Sequence, residues 1–93
     1  MLTEAEIERL DLLQEEAGEI VQAASKIKRF GRDSTYRGPS NIEHLESEIG
    51  GLCAILSLMA AAGDIKEENC SAAEILKLAT IGKYTKHQVP QEI

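Results

Sequence analysis

Apolar residues recur every three or four positions through the first third of the chain, the spacing that lines one face of an α-helix. Thr3 and Glu6 stand before this run in the arrangement of a capping box, and Gly31 follows it. The pattern predicts a first helix from about Thr3 to Gly31, with Ala17 at the centre of its buried stripe. The stripe comprises Ile7, Leu10, Leu13, Ala17, Ile20, Val21, Ala24 and Ile27.

A second run with the same spacing predicts a second helix, from about Asn41 to Gly63. Ser40 and Glu43 form another capping box at its start, and glycine is a common residue just past the end of a helix. We take Ile49 as the centre of this buried stripe. Its members are Ile42, Leu45, Ile49, Leu52, Cys53, Leu56, Met59 and Ala60.

A third and shorter helix is expected within residues 66–83. Asp64 and Ser71 are both suitable caps for its start, and the pattern leaves the choice between them open. Residues 31–40 are predicted to be a loop because they contain two glycines, a proline and few apolar side chains. Residues 87–93 are predicted to be a loose tail.

The chain has 93 residues, the size of one compact domain, so residues 1–93 are predicted to form a single all-α unit. Three helices make an incomplete bundle with a modest core, which a second copy would complete. We therefore expect a homo-oligomer, with a dimer as first choice and a tetramer as second. Cys53, within an apolar helical run, is expected to serve as a small core residue.

Charge and hydropathy narrow the classes of partner. A formal net charge of −6 argues against nucleic acid as the main partner, because binding a phosphate backbone needs a basic face. A nucleotide stays compatible with this charge if a cation lies between the two sets of negative groups. No apolar run approaches the roughly 20 residues of a membrane span, and the first residues do not resemble a signal peptide. Cytoplasmic residence without a membrane partner is the expectation.

The positions of two glutamates are the most informative feature of the pattern. On a helical wheel Glu16 lies about 100° from Ala17, and Glu48 lies about 100° to the same side of Ile49. Glu19 follows Glu16 along the same flank. Carboxylates among apolar side chains lose hydration, and two that face each other repel unless one is protonated or a cation separates them. The flank therefore indicates either a magnesium site or boundary residues whose carboxylates extend to water.

Two motifs on these helices resemble a known family. Glu15-Glu16-Ala17-Gly18-Glu19 resembles the EExxE motif of the MazG-like all-α nucleoside-triphosphate pyrophosphohydrolases, and Glu48-Ile49-Gly50-Gly51-Leu52 resembles their ExxD motif. Further stretches, Gln22–Lys26, Arg29–Gly31 and Lys83–Tyr84, are similar to short phage and prophage members. The resemblance runs from about Leu10 to Lys86 and implies a MazG-like helical bundle.

The resemblance also implies an activity and the residues that perform it. Enzymes of this family hydrolyse a nucleoside triphosphate to the monophosphate and pyrophosphate with Mg²⁺, for which Mn²⁺ can substitute. By similarity, Glu16, Glu19 and Glu48 are the metal ligands. Glu15 and Glu16 are the catalytic candidates, supporting the metal and orienting or deprotonating water. Asn41 and several basic residues are candidate substrate contacts, although each basic residue taken alone is better explained as a solvated or helix-end charge. These basic residues are Lys26, Lys28, Arg29, Lys83 and Lys86.

One position departs from the family pattern. Gly51 stands where the ExxD motif has its aspartate, so one carboxylate ligand is missing, and His44 is a candidate substitute one turn before Glu48. Three explanations follow: a site of three carboxylates and extra water, a weakened enzyme, or a protein that keeps the fold as a non-catalytic module binding a nucleotide or a protein. If the loss of the aspartate weakens the enzyme, Gly51→Asp is expected to restore activity.

Overall fold

The computed structural model describes residues 1–35 and 37–89, and three helices account for most of them. Helix α1 spans Glu4–Phe30, α2 spans Asn41–Ala62 and α3 spans Glu67–Thr80, followed by one turn of 3₁₀ helix at Ile81–Lys83. Within the described residues there is no strand, only an isolated bridge in the α1–α2 loop. The prediction of an all-α chain is confirmed. Tyr36 of the predicted loop and residues 90–93 of the predicted tail lie outside the described residues.

Both capping boxes form as predicted. The Thr3 hydroxyl accepts a hydrogen bond from the backbone N–H of Glu6, whose carboxylate accepts one from the backbone N–H of Thr3. Ser40 and Glu43 make the same pair of bonds at the start of α2. Gly63 ends α2 in the left-handed conformation, with φ of 83°, where a residue without a Cβ is favoured. The sequence therefore determines where the first two helices begin and end.

The predicted caps of the third helix are wrong. Lys66 is the N-cap of α3, and its side chain makes no capping hydrogen bond within the described structure. Asp64 is engaged elsewhere, because the Arg9 guanidinium donates to both of its carboxylate oxygens, with 2.9 Å between Nη2 and Oδ1. Ser71 lies inside α3. The ion pair instead fixes the end of α2 to the first third of α1.

Burial on α1 and α2 is centred on a different side from the one predicted. Ala23 on α1 and Ile55 and Met59 on α2 are the buried apolar residues of the described chain. Ala17 is exposed and Ile49 is 44% exposed, although both were expected at stripe centres. On a helical wheel the buried sides are turned by about 100°, towards the flank that carries the glutamates. The two helices contact each other through that flank.

Much of the apolar stripe that the sequence predicts as core is therefore exposed in the single chain, although Met59, a member of that stripe, is buried and others such as Leu13 and Leu52 are half-buried. Cys53 is exposed as well, so its assignment to the core is wrong. Helix α3 contains no buried residue. Large apolar side chains are exposed on all three helices: Ile7, Leu10 and Val21 on α1, Ile49, Leu56 and Leu58 on α2, and Ile75 and Leu76 on α3.

The chain is correspondingly flat. Its principal extents are 43 × 37 × 17 Å, and its radius of gyration is 16.1 Å. A compact domain of this length would have a radius of gyration of about 12 Å. The helices are spread out rather than packed round one core, which explains why so few residues are buried.

Helix α2 is long and apolar enough to cross a membrane, judged by length and composition alone. The core helix of a soluble protein can meet the same requirement. Glu46 and Glu48 both lie in its first half, and few residues of its apolar stretch are buried within the chain.

Candidate metal centre

Three carboxylates meet where α1 and α2 contact each other. Glu16 and Glu19 come from successive turns of α1, and Glu48 comes from α2. One carboxylate oxygen from each of them lies within 4.8 Å of the other two. All three residues are partly buried, and the buried sides of both helices are centred on Glu16 and Glu48. The structure thus brings together the three residues that the sequence predicted as metal ligands.

The crowding of these groups changes the acidity of Glu48. A hydrogen bond with Glu19 raises the pKa of the Glu48 carboxyl above its ordinary value, and partial burial and the negative charges of Glu19 and Glu16 raise it further. The cause in each case is that the protonated form is favoured when like charges are close and water is partly excluded. A divalent cation would remove this penalty by favouring the ionised form.

Glu16 carries an oxygen that nothing in the described residues satisfies. Its Oε2 atom is buried and has no hydrogen-bond partner there. A buried carboxylate oxygen without a partner is costly, and such atoms commonly mark a position for an ion or water. Together with the all-oxygen donor set, this orphaned atom fits a hard divalent cation.

His44 lies beside the three carboxylates. Its Nε2 is 3.1 Å from Oε1 of Glu48, one turn along α2, and its ring is 43% exposed. This contact occupies one oxygen of Glu48 and fixes its orientation. His44 also lines an open cavity, so it lies between the three carboxylates and that cavity.

The cavity has a volume of about 690 Å³ and lies between the end of α1, the following loop and the start of α2. The loop is held against α2 by backbone hydrogen bonds from Asn41 to Ser34 and from Ile42 to Arg32, both 3.0 Å long. Its lining mixes cationic, aromatic and small polar groups: Lys26, Phe30, Ser34, Thr35, Arg37, Gly38, Pro39, Asn41 and His44.

Only some of the predicted substrate contacts line this cavity. Lys26 and Asn41 line the cavity, and the Asn41 amide also donates to the carbonyl of Gly31 at 3.0 Å. Arg29 lies on a separate shallow surface with its guanidinium 5.2 Å from the centre of the Phe30 ring. Lys83 and Lys86 are exposed after α3 and are not among the lining residues.

Glu15 also lies apart from the site. It is exposed, and it is not one of the three carboxylates that converge. On the wheel it lies about 100° beyond Glu16, on the side away from the predicted stripe, which explains why a neighbour in sequence is not a neighbour in the site.

The lining residues contributed by the loop were missed in the sequence. Arg37 and Pro39 carry no motif, and Phe30 stood only within the Arg29–Gly31 stretch of the family resemblance. A signal was nevertheless present, because a ten-residue loop between two antiparallel helices places the last turn of one beside the first turn of the other. Phe30 and His44 therefore had to lie at the same end of the helix pair.

Comparisons with known proteins identify no relative. No protein-family model, no curated protein and no solved structure matches this chain.

Proposed function

We propose that this protein hydrolyses a nucleoside triphosphate to the monophosphate and pyrophosphate in a reaction that requires Mg²⁺. The observation that carries the proposal is the convergence of Glu16, Glu19 and Glu48 within 4.8 Å, with one carboxylate oxygen buried and unpartnered. A cationic cavity adjoins these carboxylates through His44. The three carboxylates need a cation to balance their charge, and the neighbouring cavity carries positive charge that suits phosphates. This arrangement is expected at a site for a metal–nucleotide complex.

Glu16, Glu19 and Glu48 would hold the cation. When bound, it supplies charge neutralisation of the phosphates and polarisation of a water molecule. Mn²⁺ also prefers oxygen ligands and is expected to substitute. A carboxylate oxygen of the group that does not contact the cation would accept the proton of the attacking water, which approaches the α-phosphorus in line with the departing pyrophosphate.

The cavity would hold the nucleotide. The Lys26 ammonium attracts phosphate oxygens, and the Phe30 ring offers an apolar face to a planar base. Asn41 helps to shape the pocket by fixing the loop to the end of α1. His44 orients Glu48 and thereby couples an occupied cavity to the geometry of the carboxylates.

The proposed enzyme contains more than one copy of the chain. The exposed apolar stripes of the three helices need a cover, and the chain exposes 7528 Å². A compact protein of 10.2 kDa would expose about 5,300 Å². The excess of about 2,200 Å² per chain is the size of a large, obligate interface. We therefore propose a homo-oligomer, built first as a dimer, rather than insertion of α2 into a membrane, because Glu46 and Glu48 interrupt its apolar surface.

The direct test is release of pyrophosphate from the common ribo- and deoxyribonucleoside triphosphates with Mg²⁺ or Mn²⁺. Glu16→Ala or Glu48→Ala should lower the rate by at least about 100-fold, because each removes a ligand that also positions water. Glu46→Ala is the matched control, since Glu46 is an exposed glutamate on the same helix. No pyrophosphate from any substrate would contradict the hydrolase. Nucleotide binding without hydrolysis would favour a non-catalytic nucleotide-binding module.

A further inference from the structure

Position 51 on α2 faces Glu16 across the contact between the two helices. A Cβ atom built on Gly51 would lie 2.7 Å from Oε2 of Glu16 and 2.9 Å from both Cδ and Oε1. Real Cβ atoms essentially never come this close to another heavy atom. The Glu16 carboxylate therefore occupies the volume that any other side chain at position 51 would require.

The adjacent glycine gives a contrast within the same helical turn. A Cβ on Gly50 would meet no atom within 4 Å. Each glycine inside a helix reduces helix propensity relative to alanine. At Gly51 the close approach of Glu16 gives a steric reason for a glycine. At Gly50 the described residues give no such reason.

The same carboxylate oxygen connects Gly51 to the candidate metal centre. Oε2 of Glu16 is the atom nearest to the missing Cβ, and it is also the buried oxygen without a hydrogen-bond partner in the described residues. Close approach to a glycine backbone lets the carboxylate reach this position. From there Glu16 joins Glu19 and Glu48.

We propose that Gly51 is a positioning residue: its missing side chain lets the Glu16 carboxylate rest against α2 and complete a cation site of three carboxylates. This inference rests on the proposed metal site. Any side chain at position 51 displaces the end of the flexible Glu16 side chain, because the backbone of α2 is less free to move. Gly51→Asp accordingly adds one carboxylate and displaces another, so it does not restore a lost ligand.

Binding of Mn²⁺, followed by calorimetry or by the paramagnetic resonance of the free ion, tests the positioning role without any nucleotide. Gly51→Ala and Gly51→Asp should weaken Mn²⁺ binding by about 10-fold or more, whereas Gly50→Ala should stay within about twofold of the wild type. Gly50→Ala is a matched control, because it makes the same chemical change one residue away. If Gly51→Ala binds Mn²⁺ as tightly as Gly50→Ala, the proposal is overturned.

Thermal unfolding of the metal-free protein gives a second readout. Alanine has a higher helix propensity than glycine, so Gly51→Ala should by itself raise the melting temperature. The rise should be larger in a Glu16→Ala background than in the wild type, because no carboxylate then has to move. Gly50→Ala should give the same rise in both backgrounds. If Gly51→Ala raises the melting temperature by the same amount in both backgrounds, the proposal is overturned. If the wild type fails to bind Mn²⁺, the metal site of the proposed function fails, and this coupling still decides whether Gly51 seats Glu16.

Discussion

Glu48 shows at the scale of a single residue how neighbouring carboxylates change the acidity of one member of the group. Glu19, partial burial and Glu16 together raise its pKa, so in the metal-free protein its charged form carries a penalty. The pKa of Glu48 in the folded protein is above its ordinary value. The free energy of unfolding is therefore expected to fall as pH rises through that raised pKa. At the proposed metal site a bound cation would reverse this preference, and its affinity would then depend on pH.

Asp64 shows the opposite shift and allows a prediction that is independent of the metal site. The hydrogen bonds and charge of Arg9 hold the pKa of Asp64 below its ordinary value of 3.8. Asp64 therefore contributes stability above about pH 4 that is lost as pH falls through the lower, folded-state pKa. Asp64→Asn should lower the melting temperature at neutral pH, and the difference from wild type should shrink as the solution is acidified below about pH 4.

Asp11→Asn is the control for this prediction, because Asp11 is an exposed aspartate on α1. Its melting curves should follow those of the wild type across the same pH range. The lowered pKa of Glu43, caused by hydrogen bonds from Ser40, is present in all three proteins and cancels in the comparison. A difference between Asp64→Asn and wild type that stays constant with pH would contradict the assigned role of the ion pair.

The site residues differ in how far the sequence could identify them. Glu16 and Glu48 were recognisable because both lie on the same relative flank of an amphipathic helix. Glu19 follows from helical geometry, since one turn returns it to that flank. The close fit of Gly51 against Glu16 could not be read from the sequence, because it depends on the distance between the helices and on the side-chain conformation of Glu16.

At the scale of the helices, the ends that depend on local chemistry were predictable. Capping boxes involve residues three positions apart, so Thr3 with Glu6 and Ser40 with Glu43 can be recognised without knowing the fold. The start of α3 was not predictable, because Asp64 is held by a residue 55 positions earlier in the chain. A long-range ion pair overrides a local capping preference.

Helical periodicity identified the apolar residues of α1 and α2 but not what covers them. The predicted stripe around Ala17 and Ile49 is real as a pattern, yet α1 and α2 meet through a flank about 100° away. The reason is that amphipathicity only requires an apolar face to be covered in the final assembly. It does not specify whether the cover comes from the same chain or from another copy.

At the scale of the whole molecule, the uncovered stripe predicts an assembly. Val21 is 66% exposed on α1, near the centre of the stripe, whereas Gln22 is exposed on another side of the same turn. We expect the wild type to have a solution mass of at least twice 10.2 kDa. Val21→Lys should weaken or dissociate the assembly, because it buries a charge in an apolar interface. Gln22→Lys should leave the mass unchanged.

Light scattering coupled to size-exclusion chromatography measures this mass directly. A wild type that remains a monomer at micromolar concentrations would contradict the assembly. A wild-type assembly that Val21→Lys leaves intact would contradict the assignment of the interface to this stripe. Binding of the monomer to lipid vesicles would instead assign the apolar surface of α2 to a membrane.

We propose that Glu16, Glu19 and Glu48 form a divalent-cation site, and thermal unfolding of the wild type and of Glu48→Gln with and without Mg²⁺ tests this site. At about ten times its dissociation constant the cation should stabilise the wild type by about 1.4 kcal/mol, a shift of several degrees. Metal-free Glu48→Gln should melt at or above the wild type, because repulsion is relieved, and should not respond to Mg²⁺. Glu46→Gln should respond as the wild type does. A wild type unchanged by Mg²⁺ and Mn²⁺, together with a destabilised Glu48→Gln, would contradict the claim.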